Sequence, residues 1–346
     1  MQMTFRWYGA NDPVRLTQIK QIPGVTGIVS AIYDVPVGEA WPLERLRRLQ
    51  SEIEAHGFTL SVIESIPVHE EIKLGRPTRD RFIDNYCQSI QHLGMLGIPV
   101  LCYNFMPVFD WTRTNLALRL ADGSFALSYD HEDLARIDLT KGTGELPGWA
   151  TAYSPSELQS LLAAYRAIST EQLWEHLEYF LERVIPVAAA AKVKLALHPD
   201  DPPWPIFGLP RLITNEAALQ RVLALVDHPA NGLTFCTGSL GVAPENDLPK
   251  MIRRFGQASR IHFAHCRNVK ITGPKKFHES PHASAFGSVN MRAVMQAYRD
   301  IDFRGPMRPD HGRMIWNETG RPGYGLYDRA LGAVYLQGLW EGLQNS

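Results

Sequence analysis

Eight short runs rich in β-branched and aromatic residues, interleaved with longer stretches of helical period, constrain this chain more than any other feature. They are Thr4–Tyr8, Thr26–Ile32, Thr59–Ile66, Pro99–Phe105, Lys194–His198, Leu233–Thr237, Arg260–His265 and Gly305–Arg308. Strands that alternate with helices pair in parallel, because each helix carries the chain back across the sheet. Eight is the number such a sheet needs to close on itself, so the expected fold class is α/β, a (β/α)8 barrel. Between the runs, Leu43, Leu46, Leu49 and Ile53 share one helical face. So do Leu173, Leu177, Phe180, Leu181 and Val184, and likewise Met291, Val294, Met295 and Tyr298.

Length alone would suggest two domains for 346 residues, yet strand–helix units of ~35–45 residues account for nearly all of it as one barrel over 1–346. The surplus sits in a single interval, Phe105 to Lys194, roughly double the spacing elsewhere. Its later half, Ser156–Lys192, has helical period. The earlier half, Asp110–Tyr153, mixes turn signals (Asp122-Gly123-Ser124, Gly142-Thr143-Gly144) with short apolar pieces. Residues 106–155 are therefore expected to form an insertion or lid after the fourth strand.

Charge and cysteine usage exclude several function classes. Thirty-five basic against 36 acidic side chains leave a net charge of -1, without the basic excess of a nucleic-acid binder. No apolar run approaches the ~20 residues of a membrane span. Cys87, Cys102, Cys236 and Cys266 make neither a disulfide framework nor a CxxC pair, and Met1–Tyr8 has no signal pattern. A cytoplasmic setting with free thiols is expected.

The chemistry gathers at the ends of the last four strands. They end in His198-Pro199-Asp200-Asp201, Cys236-Thr237-Gly238, His265-Cys266-Arg267 and Asp310-His311-Gly312-Arg313. Groups at the C-terminal ends of barrel strands converge on one mouth, so His198, Cys236, His265 and Asp310 should meet there. Two imidazoles, a thiolate and a carboxylate form a divalent-metal set. Taken singly, each has a plainer reading: a hydrogen-bonded histidine, a small buried thiol, a capping aspartate. Recurrence on four successive strand ends favours the joint reading. His262 lies three residues before His265 and so faces the opposite side of the strand.

At this point the sequence resembles a known family. Tyr103-Asn104-Phe105-Met106-Pro107, Phe109-Asp110-Trp111-Thr112-Arg113-Thr114 and His198-Pro199-Asp200-Asp201-Pro202-Pro203 are similar to runs of D-mannonate dehydratase. The same holds for Arg260-Ile261-His262-Phe263-Ala264-His265, Arg308-Pro309-Asp310-His311-Gly312 and Gly323-Tyr324-Gly325-Leu326-Tyr327-Asp328. The likeness spans nearly the whole chain, in the shorter form of the family. It implies a xylose-isomerase-like TIM barrel using Mn2+ or Fe2+, which removes water from D-mannonate to give 2-keto-3-deoxy-D-gluconate in hexuronate catabolism. It implies a homo-oligomer, a dimer or larger. It also carries the family's metal ligands onto His198, Cys236, His265 and Asp310. Zinc would suit the same ligands, but an octahedral Mn2+ leaves two positions for a chelating hydroxy acid.

Such a dehydration takes the C2 proton, made acidic by a cation on the carboxylate and C2 oxygen, and expels the C3 hydroxyl. It needs a base and an acid. His311, beside Asp310, and Tyr324, in a Gly-Tyr-Gly turn, are the candidates for the two proton transfers, against a plainer reading as rim packing. Tyr327 is a nearby competitor whose place in the closing helix suggests packing. Asn104, Arg113, Arg308 and Arg313 are candidates to hold the polyol or carboxylate, the alternative being salt bridges or a turn. Asp200 and Asp201 are candidates to orient His198, or else to shape a proline-rich turn, and Trp111 and Trp204 to line the mouth. The competing functions are a metal-dependent sugar isomerase, a dehydratase of a different aldonate, and a non-catalytic sugar-acid sensor.

Overall fold

The N-terminal strand pairs in parallel with the last barrel strand, and that single pairing closes the sheet. The structure, a computed structural model, describes residues 1–137 and 153–343. Its strands are β1 (Gln2–Arg6), β2 (Val25–Ser30), β3 (Thr59–Glu64), β4 (Val100–Tyr103), β5 (Asn115–Arg119) and β6 (Phe125–Asp130). There follow β7 (Lys194–Leu197), β8 (Asn231–Cys236), β9 (Ile261–His265), β10 (Asn268–Gly273), β11 (Lys276–Ser280) and β12 (Pro306–Arg308). Around the barrel the order is β1, β12, β9, β8, β7, β4, β3, β2, and every pairing is parallel. All eight expected strands are present, differing only at their ends.

Both faces of such a sheet are covered, which is why the strands read as apolar runs rather than as alternating ones. Val29, Val62, Val100, Cys102, Ala196 and Phe263 form a cluster of their own. They alternate along the strands with Ile28, Ile63, Leu101, Leu195 and Ala264, which belong to the large core shared with the helices. The expected helical faces are the buried ones. Leu46, Leu49 and Ile53 are buried in helix Leu43–Ala55. Leu173, Leu177, Phe180, Leu181 and Val184 are buried in helix Thr170–Ala190, whose start is fixed by a capping box from Ser169 and Gln172.

The mouth holds what the sequence reading did not foresee. The β5–β6 hairpin lies inside the expected insertion 106–155, but it pairs with β11, which belongs to an excursion after β9. The result is a four-stranded antiparallel sheet in the order β10, β11, β6, β5. Lys270, Thr272 and Gly273 in β10 and Lys276, His278 and Glu279 in β11 interrupt the apolar pattern, so neither reads as a strand by itself. Tyr129 of β6 stacks on Phe277 of β11 at 5.5 Å and meets Trp204 of the loop after β7 at 5.6 Å, which ties the side sheet to the barrel. Part of the insertion, including Gly142-Thr143-Gly144, lies outside the described residues. Among the described residues no helix is long and apolar enough to cross a membrane, and all four cysteines are free.

Candidate active site

His198, Cys236, His265 and Asp310 follow or end β7, β8, β9 and β12, and the barrel brings them together. His198 Nε2 lies 3.2 Å from His265 Nδ1. Asp310 Oδ2 lies 3.7 Å from Cys236 Sγ and 3.8 Å from His265 Nδ1. Donor atoms bound to one ion at ~2.0–2.3 Å stand roughly 3–4 Å apart, and His198, Cys236 and His265 lie close enough to share one, with Asp310 beside the latter two. Each side chain is aimed by its surroundings. The Pro199 carbonyl, 2.6 Å from His198 Nδ1, can only accept, so that nitrogen carries the proton and Nε2 offers its lone pair. Cys236 Sγ accepts from the Ser239 hydroxyl at 3.1 Å. Asp310 is held in a left-handed conformation (φ 58°), a strained setting of the kind found at functional sites.

The charge balance points the same way. Burial pushes the Cys236 thiol up, but the Arg267 guanidinium and hydrogen bonds from His198 and His265 outweigh it and hold the thiol well below its usual value. Burial should likewise depress the His198 imidazolium, yet Cys236, Glu64 and Asp310 draw a proton onto it and raise it to about 9. A cluster of lone pairs that pulls in protons against burial is one that attracts a cation. Glu64, Cys102 and His265 also lie close enough to share an ion. They suit one less well: burial pushes the Cys102 thiol well up, and Arg308 Nε already donates to His265 Nε2, the nitrogen that faces Glu64, at 3.0 Å.

Beside the four donors, His311 Nε2 and the Tyr324 hydroxyl are hydrogen-bonded at 2.8 Å. Burial lowers the His311 imidazolium and raises the Tyr324 phenol, so both are neutral near pH 7. They face a cavity of about 460 Å³, which Asn104, Arg308 and Trp111 also line.

Two expected substrate-holding residues do not reach that cavity. Arg113 is fully buried, with its fork on Asp201 at 2.9 and 3.1 Å and on Glu279 at 2.9 Å. Arg313 forks onto Asp328 at 2.9 and 3.2 Å and reaches Asp122 at 2.7 Å. Neither has a free edge for a carboxylate. Nor do Asp200 and Asp201 orient His198. Asp200 accepts from the Ile213 amide at 3.2 Å, and Asp201 binds Arg113 and Arg267. Trp204 is buried against Tyr129, to whose hydroxyl its indole donates at 3.1 Å, and Tyr327 packs at a tilt against Trp316 at the surface.

Other site residues escaped the sequence reading. Glu64 ends β3, lies 3.4 Å from His265 Nε2 and binds Arg308; the strand-end rule, applied to the first four strands, would have found it. Arg267, two residues past His265, forms ion pairs with Asp201 at 2.5 Å and Asp310 at 2.9 Å, and with Glu279. Glycine at 238 leaves room for it, since a Cβ there would sit 2.0 Å from Arg267 Nε. Glu279, in β11, carries no sequence signal.

A closed parallel barrel with lone-pair donors and a histidine–tyrosine pair at the C-terminal ends of its strands is built as a barrel enzyme of the metal-assisted, proton-transferring class. Comparison with known proteins narrows the class. The model of the family described as D-mannonate dehydratase (UxuA) matches residues 1–346, and the chain belongs to that family. Mannonate dehydratase 2 of Halalkalibacterium halodurans is 59% identical over 345 residues, covering 100% of both chains. The mannonate dehydratase of Streptococcus uberis is 55% identical over 341 residues, 99% of this chain and 98% of its own. The crystal structure of mannonate dehydratase from Streptococcus suis serotype 2 superposes with a TM-score of 0.93 at 50% identity, covering 100% of this chain and 95% of that one. A xylose isomerase domain protein from Planctomyces limnophilus shares the fold alone, with a TM-score of 0.56 at 14% identity over 100% of this chain and 99% of its own.

Proposed function

We propose that this protein dehydrates D-mannonate to 2-keto-3-deoxy-D-gluconate, with His198, Cys236, His265 and Asp310 as ligands of one Mn2+ or Fe2+ ion. The observation that carries the reading is the meeting of those four donors beside the bonded His311–Tyr324 pair. A divalent ion there would draw electron density from the substrate carboxylate and C2 oxygen, making the C2 proton easier to remove. Mn2+ or Fe2+ is favoured over tetrahedral Zn2+ because octahedral coordination would leave two positions for a chelating hydroxy acid.

The chain's own groups do the rest. His311 and Tyr324, both neutral and already sharing a hydrogen bond, accept the C2 proton and deliver one to the departing C3 hydroxyl, which leaves as water. Asn104 and Arg308 line the cavity, and we assign them to the hydroxyls and the carboxylate. The cavity of about 460 Å³ is of the size that encloses a small ligand. Within the expected insertion, the β5–β6 hairpin acts as part of the cover, since Leu116 of β5 lines the cavity.

A cytoplasmic setting agrees with the four free cysteines, and association into a dimer or larger agrees with the exposed Trp316, Leu331 and Val334. The near-neutral charge lacks the basic excess of a nucleic-acid binder. Incubation of the Mn2+-loaded protein with D-mannonate under reducing conditions should accumulate the 2-keto acid. Turnover of an aldose instead would favour the isomerase. Tight mannonate binding by wild type and His311→Ala, with turnover by neither, would favour the sensor.

A further inference from the structure

His311 presents Nε2 to Tyr324, and its other ring nitrogen meets two groups that ask opposite things of it. Nδ1 lies 3.2 Å from Arg267 Nη1 and 3.3 Å from Glu279 Oε1. An arginine can only donate, so pairing with Arg267 would require a lone pair on Nδ1 and a proton on Nε2. An ionised carboxylate can only accept, so pairing with Glu279 requires the proton on Nδ1 and a lone pair on Nε2. Which partner prevails decides whether His311 meets the cavity as an acceptor or as a donor.

The surroundings favour the carboxylate. Arg267 already meets three carboxylates, Glu279 at Nη1, Asp201 at Nη2 and Asp310 at Nε, so its charge is compensated without a lone pair from His311. Glu279 is fully buried, and the oxygen that meets Nδ1, Oε1, also accepts from Arg113 and Arg267, so it presents a concentrated negative charge to the imidazole. Arg113 and Arg267 bracket it and keep it ionised. We propose that Glu279, carried under the site by the side sheet, is a positioning residue that fixes His311 with its proton on Nδ1. Nε2 then accepts the Tyr324 hydroxyl and exchanges protons with the substrate. The second excursion of the chain thereby supplies the group that orients a proton-transfer residue, besides covering the mouth.

The inference rests on the role assigned to His311 above, but its test does not depend on turnover. Histidine-selective 15N correlation spectra of the Zn2+-loaded, diamagnetic protein distinguish the two ring tautomers, and the signal missing in His311→Asn identifies the residue. Wild type should show the proton on Nδ1. In Glu279→Gln the proton should shift toward Nε2, and kcat of the Mn2+ enzyme should fall ~10–100-fold with KM unchanged. A wild-type proton on Nε2 overturns the inference, and that spectrum decides even if the variant fails to fold. So does a folded Glu279→Gln with the wild-type tautomer, whatever its rate. Absence of mannonate turnover by a wild type with the expected tautomer would count against the proposed function alone.

Discussion

Two clusters of buried charge share the barrel mouth, and they differ in whether their charges balance internally. In the first, Arg113 and Arg267 each bridge Asp201 and Glu279, so two guanidinium groups meet two carboxylates. In the second, His198, Cys236, His265 and Asp310 present lone pairs to one another, while Arg308 donates to His265 Nε2 at 3.0 Å and, with Arg267, pairs with Asp310. The residue types overlap and the burial is similar. Internal balance suits a lattice that holds the insertions onto the barrel, whereas the second cluster, richer in lone pairs, is the one proposed to hold the metal ion.

The sharpest way to break that contrast is to remove Arg267, which belongs to the first cluster and steadies the second. Arg267→Met leaves Asp201 and Glu279 each short of one buried partner, and should lower unfolding free energy in urea by about 3–5 kcal/mol. A change under ~1 kcal/mol, the range of exposed ion pairs, would show that the lattice does not hold the fold. His311→Ala lies beside both clusters and balances neither. It should lower kcat ~10²–10⁴-fold while leaving metal content and thermal midpoint near wild type.

How much of this was legible in the sequence follows the same division. The donors could be read because each closes an apolar strand, and strand ends converge in any barrel. The lattice could not. Arg113 and Glu279 stand 166 positions apart, one in each excursion, and meet only because β6 pairs with β11. From sequence alone Arg113 therefore reads as a substrate-holding residue, a use its chemistry suits and its neighbours forbid. The eight strands were legible from their β-branched runs, whereas β10 and β11 depend on partners from another part of the chain.

Strand β9 offers a smaller comparison, between His265 at its C-terminal end and His262 three residues earlier. His262 is buried, donates Nδ1–H to the Leu195 carbonyl at 3.0 Å and packs against Gly232, where a Cβ would sit 2.3 Å from its ring. Burial lowers it from 6.5 to about 4, so between those values the unfolded chain binds the proton more readily than the folded one. Its contribution is complete above pH 6.5 and is lost as the pH falls toward 4, up to about 3 kcal/mol. Stability of His262→Gln should fall less steeply over that window; equal slopes would contradict the assignment. Mn2+ at a hundredfold excess over its dissociation constant should stabilise wild type by about 2.7 kcal/mol, and at the same concentration His198→Ala much less.

The most direct test of the central claim is an anomalous difference map, recorded at the manganese absorption edge, from crystals grown with Mn2+ and D-mannonate. One peak bounded by His198 Nε2, Cys236 Sγ, His265 Nδ1 and an Asp310 carboxylate oxygen is the predicted result. A peak between Glu64, Cys102 and His265, or none at the barrel mouth, would contradict it.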